Sequence, residues 1–429
     1  MGNQDDINIT DPTFFANGDP LGLLKRWRED DPVHWTQGRL KTGFWSITKY
    51  ADAKQVFLND NRIFSVQRFG AALPNNPALD DSETSVFIRL LRSGAQLSIM
   101  DGEPHTVFRR VFADRFSAAS IASIEAMVRR CAEDALNRVL PRGECDFTVD
   151  IAGRLPLAVI SEMMDIPRED WADLYHWNNM MAAPEDPEFS VGDVLATSSE
   201  GTNRIMDYCT RLAHQRRNGS ATDLMSMLAR SEIDGKLLND DQLGFNGIMF
   251  FAAGHETTRA ALSAGLLELM KDRGQMRKLH AARHNPSALK IATEEFVRWA
   301  SPLTHVLRTA TEDTEIGGQA IKEGDWVVPW FISANRDEDA FVDADTFDIG
   351  RQPNQHLAFA LGKHFCLGAH LARLEVRIML EYLLDLIPEA ELAGKAELSA
   401  SLQFWGIKHM PIKFPPRDSV ADRRPSSLN

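Results

Sequence analysis

Among the 429 residues, Cys366 has the most chemical leverage. It stands in the run Phe359-Ala360-Leu361-Gly362-Lys363-His364-Phe365-Cys366-Leu367-Gly368, and a helix-like stretch from Ala369 to Glu375 follows. Glycines on both sides permit positive-φ turns and close backbone approach, so amide N–H groups can converge on one atom. A sulfur at the start of the next helix is further stabilised as thiolate by the helix dipole. A permanently deprotonated sulfur is what an iron ligand requires. Without such neighbours a lone cysteine is ordinarily a small buried apolar residue.

The second constellation is Ala253-Gly254-His255-Glu256-Thr257-Thr258. It lies in a helical pattern from Leu238 to Met270 whose middle, from Ile248 to Gly254, is apolar all round. A helix of that kind belongs in the centre of a protein. Glycine inside it costs about 1 kcal/mol relative to alanine, and an acid beside a hydroxyl is expensive to bury without use. The plainer reading is an i,i+3 surface pair of Glu256 with Arg259. Glu295-Phe296-Val297-Arg298 is, taken alone, an equally ordinary helical ion pair.

The pattern Phe-x-x-Gly-x-His-x-Cys-x-Gly resembles the haem-ligand signature of the cytochrome P450 family. Across residues 20–415 the other landmarks follow in family order, including Ser333-Ala334-Asn335-Arg336-Asp337 ahead of the cysteine loop. The chain departs from the usual pattern at Ala360, where most relatives carry glycine; the added methyl is expected to tighten packing beneath the haem. The resemblance implies a mainly α fold with small β-sheets, one large helical domain around buried haem b (iron protoporphyrin IX). Cys366 is then the metal ligand, with Phe359, Gly362 and Gly368 shaping its loop. Gly254 leaves room for dioxygen, Thr257 hydrogen-bonds the activated oxygen or its water, and Glu256 relays protons from solvent. Glu295 and Arg298 form a structural brace. His105, Arg109, Arg308 and His356 match positions that hold the haem propionates. Leu97, Ala252, Ala253, Leu303, Thr304, Phe404 and Trp405 fall near the distal face; they are mainly apolar, so an apolar substrate is expected.

The activity so implied is a haem-thiolate monooxygenase that inserts one atom of dioxygen into a terpene-, steroid-, fatty-acid- or alkyl-aromatic-like compound. Electrons come from a ferredoxin and its NAD(P)H-dependent reductase, because no flavin or nicotinamide domain is fused. Arg109, Arg110, Arg115, Lys363 and Arg373 are candidates for a basic patch that receives that ferredoxin. A peroxide-driven peroxygenase and a non-catalytic haem sensor are the alternatives; the Glu256–Thr257 pair speaks against the first.

Composition supports this frame. Hydrophobic residues are 44 % and charged residues 25 % of the chain, ordinary for a globular protein. A net charge of −14 disfavours nucleic-acid or anionic-membrane binding. Four scattered cysteines without a CxxC pair exclude a zinc ribbon and fit a reducing cytoplasm. No run of about 18 apolar residues exists, so no membrane span is expected, and a monomer is expected.

The elements that must position these residues begin with an irregular arm over 1–20. A single domain over 21–415 and a flexible tail over 416–429 complete the chain. Strands are predicted at Val33–Trp35, Gly43–Ile47 and Val327–Phe331, and near Ile412. Helices are predicted over 104–139, 151–163, 170–181, 196–216 and 238–270. Another opens at Asn285-Pro286-Ser287 and closes at Ser301-Pro302. Residues 74–97 read as a long loop with one short helical piece at 86–91.

Overall fold

Asp240–Lys271 forms one continuous helix of 32 residues, about 48 Å long at 1.5 Å per residue. Its start is fixed by a capping box: Asn239 Oδ1 accepts the Gln242 N–H at 2.9 Å, and Gln242 Oε1 accepts the Asn239 N–H at 3.0 Å. Most of its middle is buried on every side, as the all-round apolar pattern requires. Helices Arg154–Met163, Val194–Arg216, Pro286–Ala300 and Ala369–Leu386 pack around it. Together they enclose the main hydrophobic core. This is a computed structural model; it describes residues 4–39, 42–60, 62–68, 73, 94, 96–233 and 235–423.

The principal sheet has five short strands in the order Val33–Thr36, Phe44–Ile47, Trp326–Pro329, Arg308–Ala310, Phe64–Ser65. Trp326–Pro329 runs parallel to Phe44–Ile47, with Val327 opposite Trp45, and antiparallel to Arg308–Ala310, with Val327 opposite Arg308. Two smaller pairings place the C-terminal region against the helices: Pro411–Lys413 on Glu144–Asp146, and Ile407–His409 on Glu397–Leu398.

The Glu295–Arg298 pair is fully buried. Arg298 makes two bonds of 2.8 Å to Glu295 and donates to the carbonyls of Asn335, Ala344 and Thr346. Arg351 joins the same carboxylate at 3.1 Å. Asn335 Oδ1 in turn accepts the Leu357 N–H at 2.6 Å. The ionic cluster therefore fixes the path of the chain leading into the cysteine loop.

Several elements differ from the sequence reading. The arm over 1–20 is helical, as Gln4–Ile9 and Pro12–Asn17, with a third helix starting at Pro20. Asp11 and Asp19 each cap a helix that opens with proline, a start signal, and Phe15 is buried against Trp330. The pattern over 104–139 divides into Gly102–Ala113, Ala118–Ser123 and Glu125–Asn137. Ser117 caps the middle piece. Phe331, read as strand, opens the helix Phe331–Ala334. In the expected tail, Val420–Arg423 is a short 3-10 turn, tied by the Val420 N–H to Asn137. The helical piece expected at 86–91 lies outside the described residues. Among the described residues no helix is long and apolar enough to cross a membrane.

Candidate active site

The cysteine loop is built by two left-handed residues. Gly362 has φ +70°, and a Cβ there would lie 2.4 Å from the Phe57 carbonyl oxygen, so only glycine fits. Ala360 has φ +53°, a conformation that costs a residue with a Cβ about 1–2 kcal/mol. Its methyl therefore carries a backbone cost as well as a volume. The turn is closed by Ala360 N–H to Leu357 O and Cys366 N–H to Phe359 O. Burial pushes the Cys366 thiol up; the Gly368 N–H, Arg109 and Arg373 oppose it. A Cβ at Gly368 would meet nothing within 4 Å, the Cys366 sulfur included, so its contribution is the backbone N–H that it turns toward that sulfur. Phe359 packs with Val297 and Ala369 around Cys366, with the Arg373 guanidinium 4.4 Å over its ring. The other cysteines, Cys131, Cys145 and Cys209, are free, and burial pushes each up to about 12.

A cationic pocket adjoins this loop. Arg109 donates to the Phe365 carbonyl. His105 stacks on His364 with ring centroids 4.3 Å apart. Both ring nitrogens of His105 and Nε2 of His364 are buried without a hydrogen-bond partner. Burial, with Arg109 next, drives His105 down to about 4. Burial, Arg308 and His105 drive His364 down to about 2. Arg308 is committed on one side to Asp60, at 2.6 and 3.1 Å. Buried donors left unpaired beside cations suit a buried polyanion. His356, expected here, instead meets Glu294 at 3.2 Å. That acid, already clasped by Arg373, captures it. The histidine that sequence reasoning missed is His364, two positions before Cys366 within the quoted motif.

On the central helix the residues that stay accessible in the middle are Met249, Ala253, Gly254 and Thr257. Met249, Ala253 and Thr257 recur at i, i+4, i+8, one stripe of one face. Thr257 Oγ1 donates to the Ala253 carbonyl at 2.9 Å on that stripe. Glu256, one residue away, turns to the packed side and is 2 % exposed. Its Oε1 accepts from Asn178 at 2.7 Å and lies 3.0 Å from His255 Nδ1; its Oε2 is held by Arg259. Burial pushes Glu256 up, but Arg259 and then His255 overcome it and hold the acid at about 2. The i,i+3 pair with Arg259 thus exists, in the interior rather than on the surface. Gly254 permits helix contact: a Cβ there would come within 3.0 Å of Ile160. The sequence also passed over Glu375, a buried acid that desolvation pushes up to about 8.

The family model for cytochrome P450 matches residues 194–386. A steroid C26-monooxygenase of Mycolicibacterium smegmatis is 32 % identical over 95 % of this chain and 94 % of its own length. The chain is a cytochrome P450. A linalool 8-monooxygenase of Pseudomonas putida is 31 % identical over 96 % of this P450 and 99 % of its own. The structure of Mycobacterium marinum CYP268A2 in complex with pseudoionone matches with a TM-score of 0.85, at 30 % identity. It covers 94 % of this chain and 97 % of that one. The enzyme is accordingly a P450 monooxygenase acting on apolar substrates, with haem b as cofactor. The residues present fit that group: an accessible helical stripe, a sulfur whose thiolate is favoured by an amide N–H and two arginines, and buried unpaired imidazoles among arginines for two propionates.

The residues expected on the distal face of this P450 divide. Ala253, Leu303 and Phe404 retain accessible surface, and Leu303 pairs with Phe404 in a β-bridge. Leu97 and Ala252 are buried among core side chains. Thr304 is fully buried and spends its hydroxyl on Leu402 O and His305, so it does not line a cavity. Trp405 packs toward Leu402 and Arg336. Val306, not singled out from sequence, is half-buried and packs on the same hydrophobic cluster as Leu303.

Ala360→Gly relieves the left-handed strain and raises unfolding stability by about 1 kcal/mol, net of the entropy glycine adds to the unfolded chain. Denaturant unfolding of both forms checks this.

Proposed function

We propose that Cys366 ligates the haem iron, and that His105, Arg109, Arg308 and His364 hold the propionates. The enzyme then inserts one atom of dioxygen into an isoprenoid skeleton, open-chain or steroidal, while two electrons and two protons convert the other atom to water. The observation that carries this reading is the set of buried, unpaired imidazole nitrogens of His105 and His364, beside Arg109 and next to the Cys366 loop. Bound haem supplies the activation of dioxygen. The chain's own residues do the rest. The Gly368 N–H, Arg109 and Arg373 favour the thiolate over the thiol. Met249, Ala253, Leu303 and Phe404 present apolar surface that binds substrate and displaces water. Thr257 holds a proton at Oγ1, on the accessible stripe, from which it can be passed on without leaving the helix face. Glu256, held as a carboxylate by Arg259 and His255, fixes the helix turn that carries Thr257. The relatives' names support the substrate class, as they include a steroid and a linalool monooxygenase.

The electron donor is a ferredoxin with its reductase. Val107 and Val111, one turn apart on Gly102–Ala113, are exposed, as is Phe365. Arg110 and Lys363 flank them. An apolar centre with a basic rim suits an acidic redox protein. Arg373 drops out of the patch, being engaged by Glu294. The free cysteines support a reducing compartment, the cytoplasm.

Cys366→His abolishes the far-red-shifted Soret band of the reduced carbon monoxide complex; a persistent band refutes the ligand. Thr257→Ala keeps haem content and substrate binding but lowers product per NAD(P)H by about tenfold, the electrons appearing as peroxide. Unchanged coupling removes the proton role. Charge reversal at Arg110 and Lys363 raises the apparent ferredoxin KM by about fivefold at low salt and flattens its salt dependence. Steady-state assays across ionic strength read this out.

A further inference from the structure

His305 is completely buried on the extended segment, just before the strand Arg308–Ala310, that carries Leu303 and Val306. Its ring lies 5.0 Å from that of Trp330, and its backbone bridges to the same residue. Two bonds define its state. Nε2 lies 3.1 Å from the Leu73 backbone nitrogen, and Nδ1 lies 2.7 Å from Thr304 Oγ1. A backbone N–H can only donate, so Nε2 must offer a lone pair. The single proton of the neutral ring then sits on Nδ1 and is donated to Thr304 Oγ1. That hydroxyl passes its own proton to the Leu402 carbonyl. The result is one directional chain: Leu73 N–H to His305, His305 N–H to Thr304, Thr304 O–H to Leu402. Burial holds the imidazole down at about 3, in keeping with a neutral ring.

Leu402 opens the turn that carries Phe404, and Phe404 bridges to Leu303. The far end of that turn is tied to the central helix: Arg259 donates to Ile407 O at 3.2 Å. A Cβ at Gly406 would stand 3.1 Å from Ala260, so the turn lies flush on the helix one turn beyond Thr257. The Phe404 turn is thus held at one end by Arg259 and at the other by the Leu303 segment, through the backbone bonds Thr304 N–H to Gln403 O and Trp405 N–H to Pro302 O and through the Thr304 hydroxyl that His305 orients.

We propose that His305 is a positioning residue for substrate: its obligate Nδ1–H tautomer locks Leu73, the Leu303–Val306 segment and the Phe404 turn into one rigid wall facing the oxygen-binding side of the haem. It touches no substrate and acts through Leu303 and Phe404. The proposal rests on the P450 reading for what that wall faces. The chain of three bonds needs an acceptor facing Leu73 and a donor facing Thr304. Phenylalanine keeps the volume but has neither acceptor nor donor. Glutamine restores a side-chain acceptor for the Leu73 N–H.

The test uses haem-loaded full-length protein and 4-phenylimidazole, which ligates haem iron from the substrate side, as probe. In His305→Phe the Leu73 amide exchanges with solvent about fivefold faster, the factor that loss of one ordinary hydrogen bond gives. The Kd for 4-phenylimidazole rises by a similar factor of about five, while the reduced carbon monoxide band stays in place. His305→Gln returns both to within about twofold of wild type. Nitrogen-15 NMR of the histidine rings in the unmodified enzyme reports a proton on Nδ1 of His305, and this arm needs no variant to fold. A proton on Nε2 overturns the proposal. So does His305→Phe with both values unchanged, and faster exchange with unchanged Kd reduces His305 to a structural tie. Loss of the thiolate band from wild type would instead sink the P450 reading itself.

Discussion

The fold turns on a carboxylate and a guanidinium that have both left water completely. Glu295 and Arg298 sit in the protein interior, where an unpaired charge would be prohibitive and loss of one partner costs about 3–5 kcal/mol. Their remaining hydrogen-bonding capacity is spent on Arg351 and on three carbonyls of the irregular chain between Asn335 and Thr346. That chain has no regular ladder to hold it, so the ion cluster serves in its place. From there Asn335 grips Leu357, and the path into the Cys366 loop is set. A planar, five-donor guanidinium can make such a junction and an ammonium cannot.

The central helix shows how one element can be both core and site. Burial all round would suit a simple scaffold, yet Met249, Ala253 and Thr257 keep a narrow accessible line along it. Successive residues on a helix point about 100° apart. Thr257 and Glu256 therefore face different surroundings although they are adjacent, one apolar and open, the other packed and ionic. The chemistry expected of the acid and the alcohol as a pair is divided between two faces.

The sequence made much of this legible. Cys366 with its glycine-flanked loop and the long buried helix could be found from residue types and spacing, whereas the buried Glu295–Arg298 brace was legible only through the family resemblance. What escaped notice was partnership across long separations. His356 has the right type and order but is drawn to Glu294, 62 positions away. His364 was in view yet counted only as part of a motif. Thr304 falls near the distal face by family resemblance, but its hydroxyl is consumed by a carbonyl 98 residues downstream. The helices within the arm are announced by two Asp-Pro starts that its polar composition masks. At Ala360 the backbone φ, which residue type alone does not disclose, adds a strain that a volume argument leaves out.

The state of the remaining sulfurs bears on how the enzyme ages. Any oxygenase that releases partly reduced oxygen exposes its own side chains to oxidant, and thiolates are the form that oxidants attack first. Cys131, Cys145 and Cys209 are held as protonated thiols far above neutral pH. Self-inflicted damage to them is slow, and loss of activity over many turnovers should register elsewhere in the molecule before it registers at these three thiols.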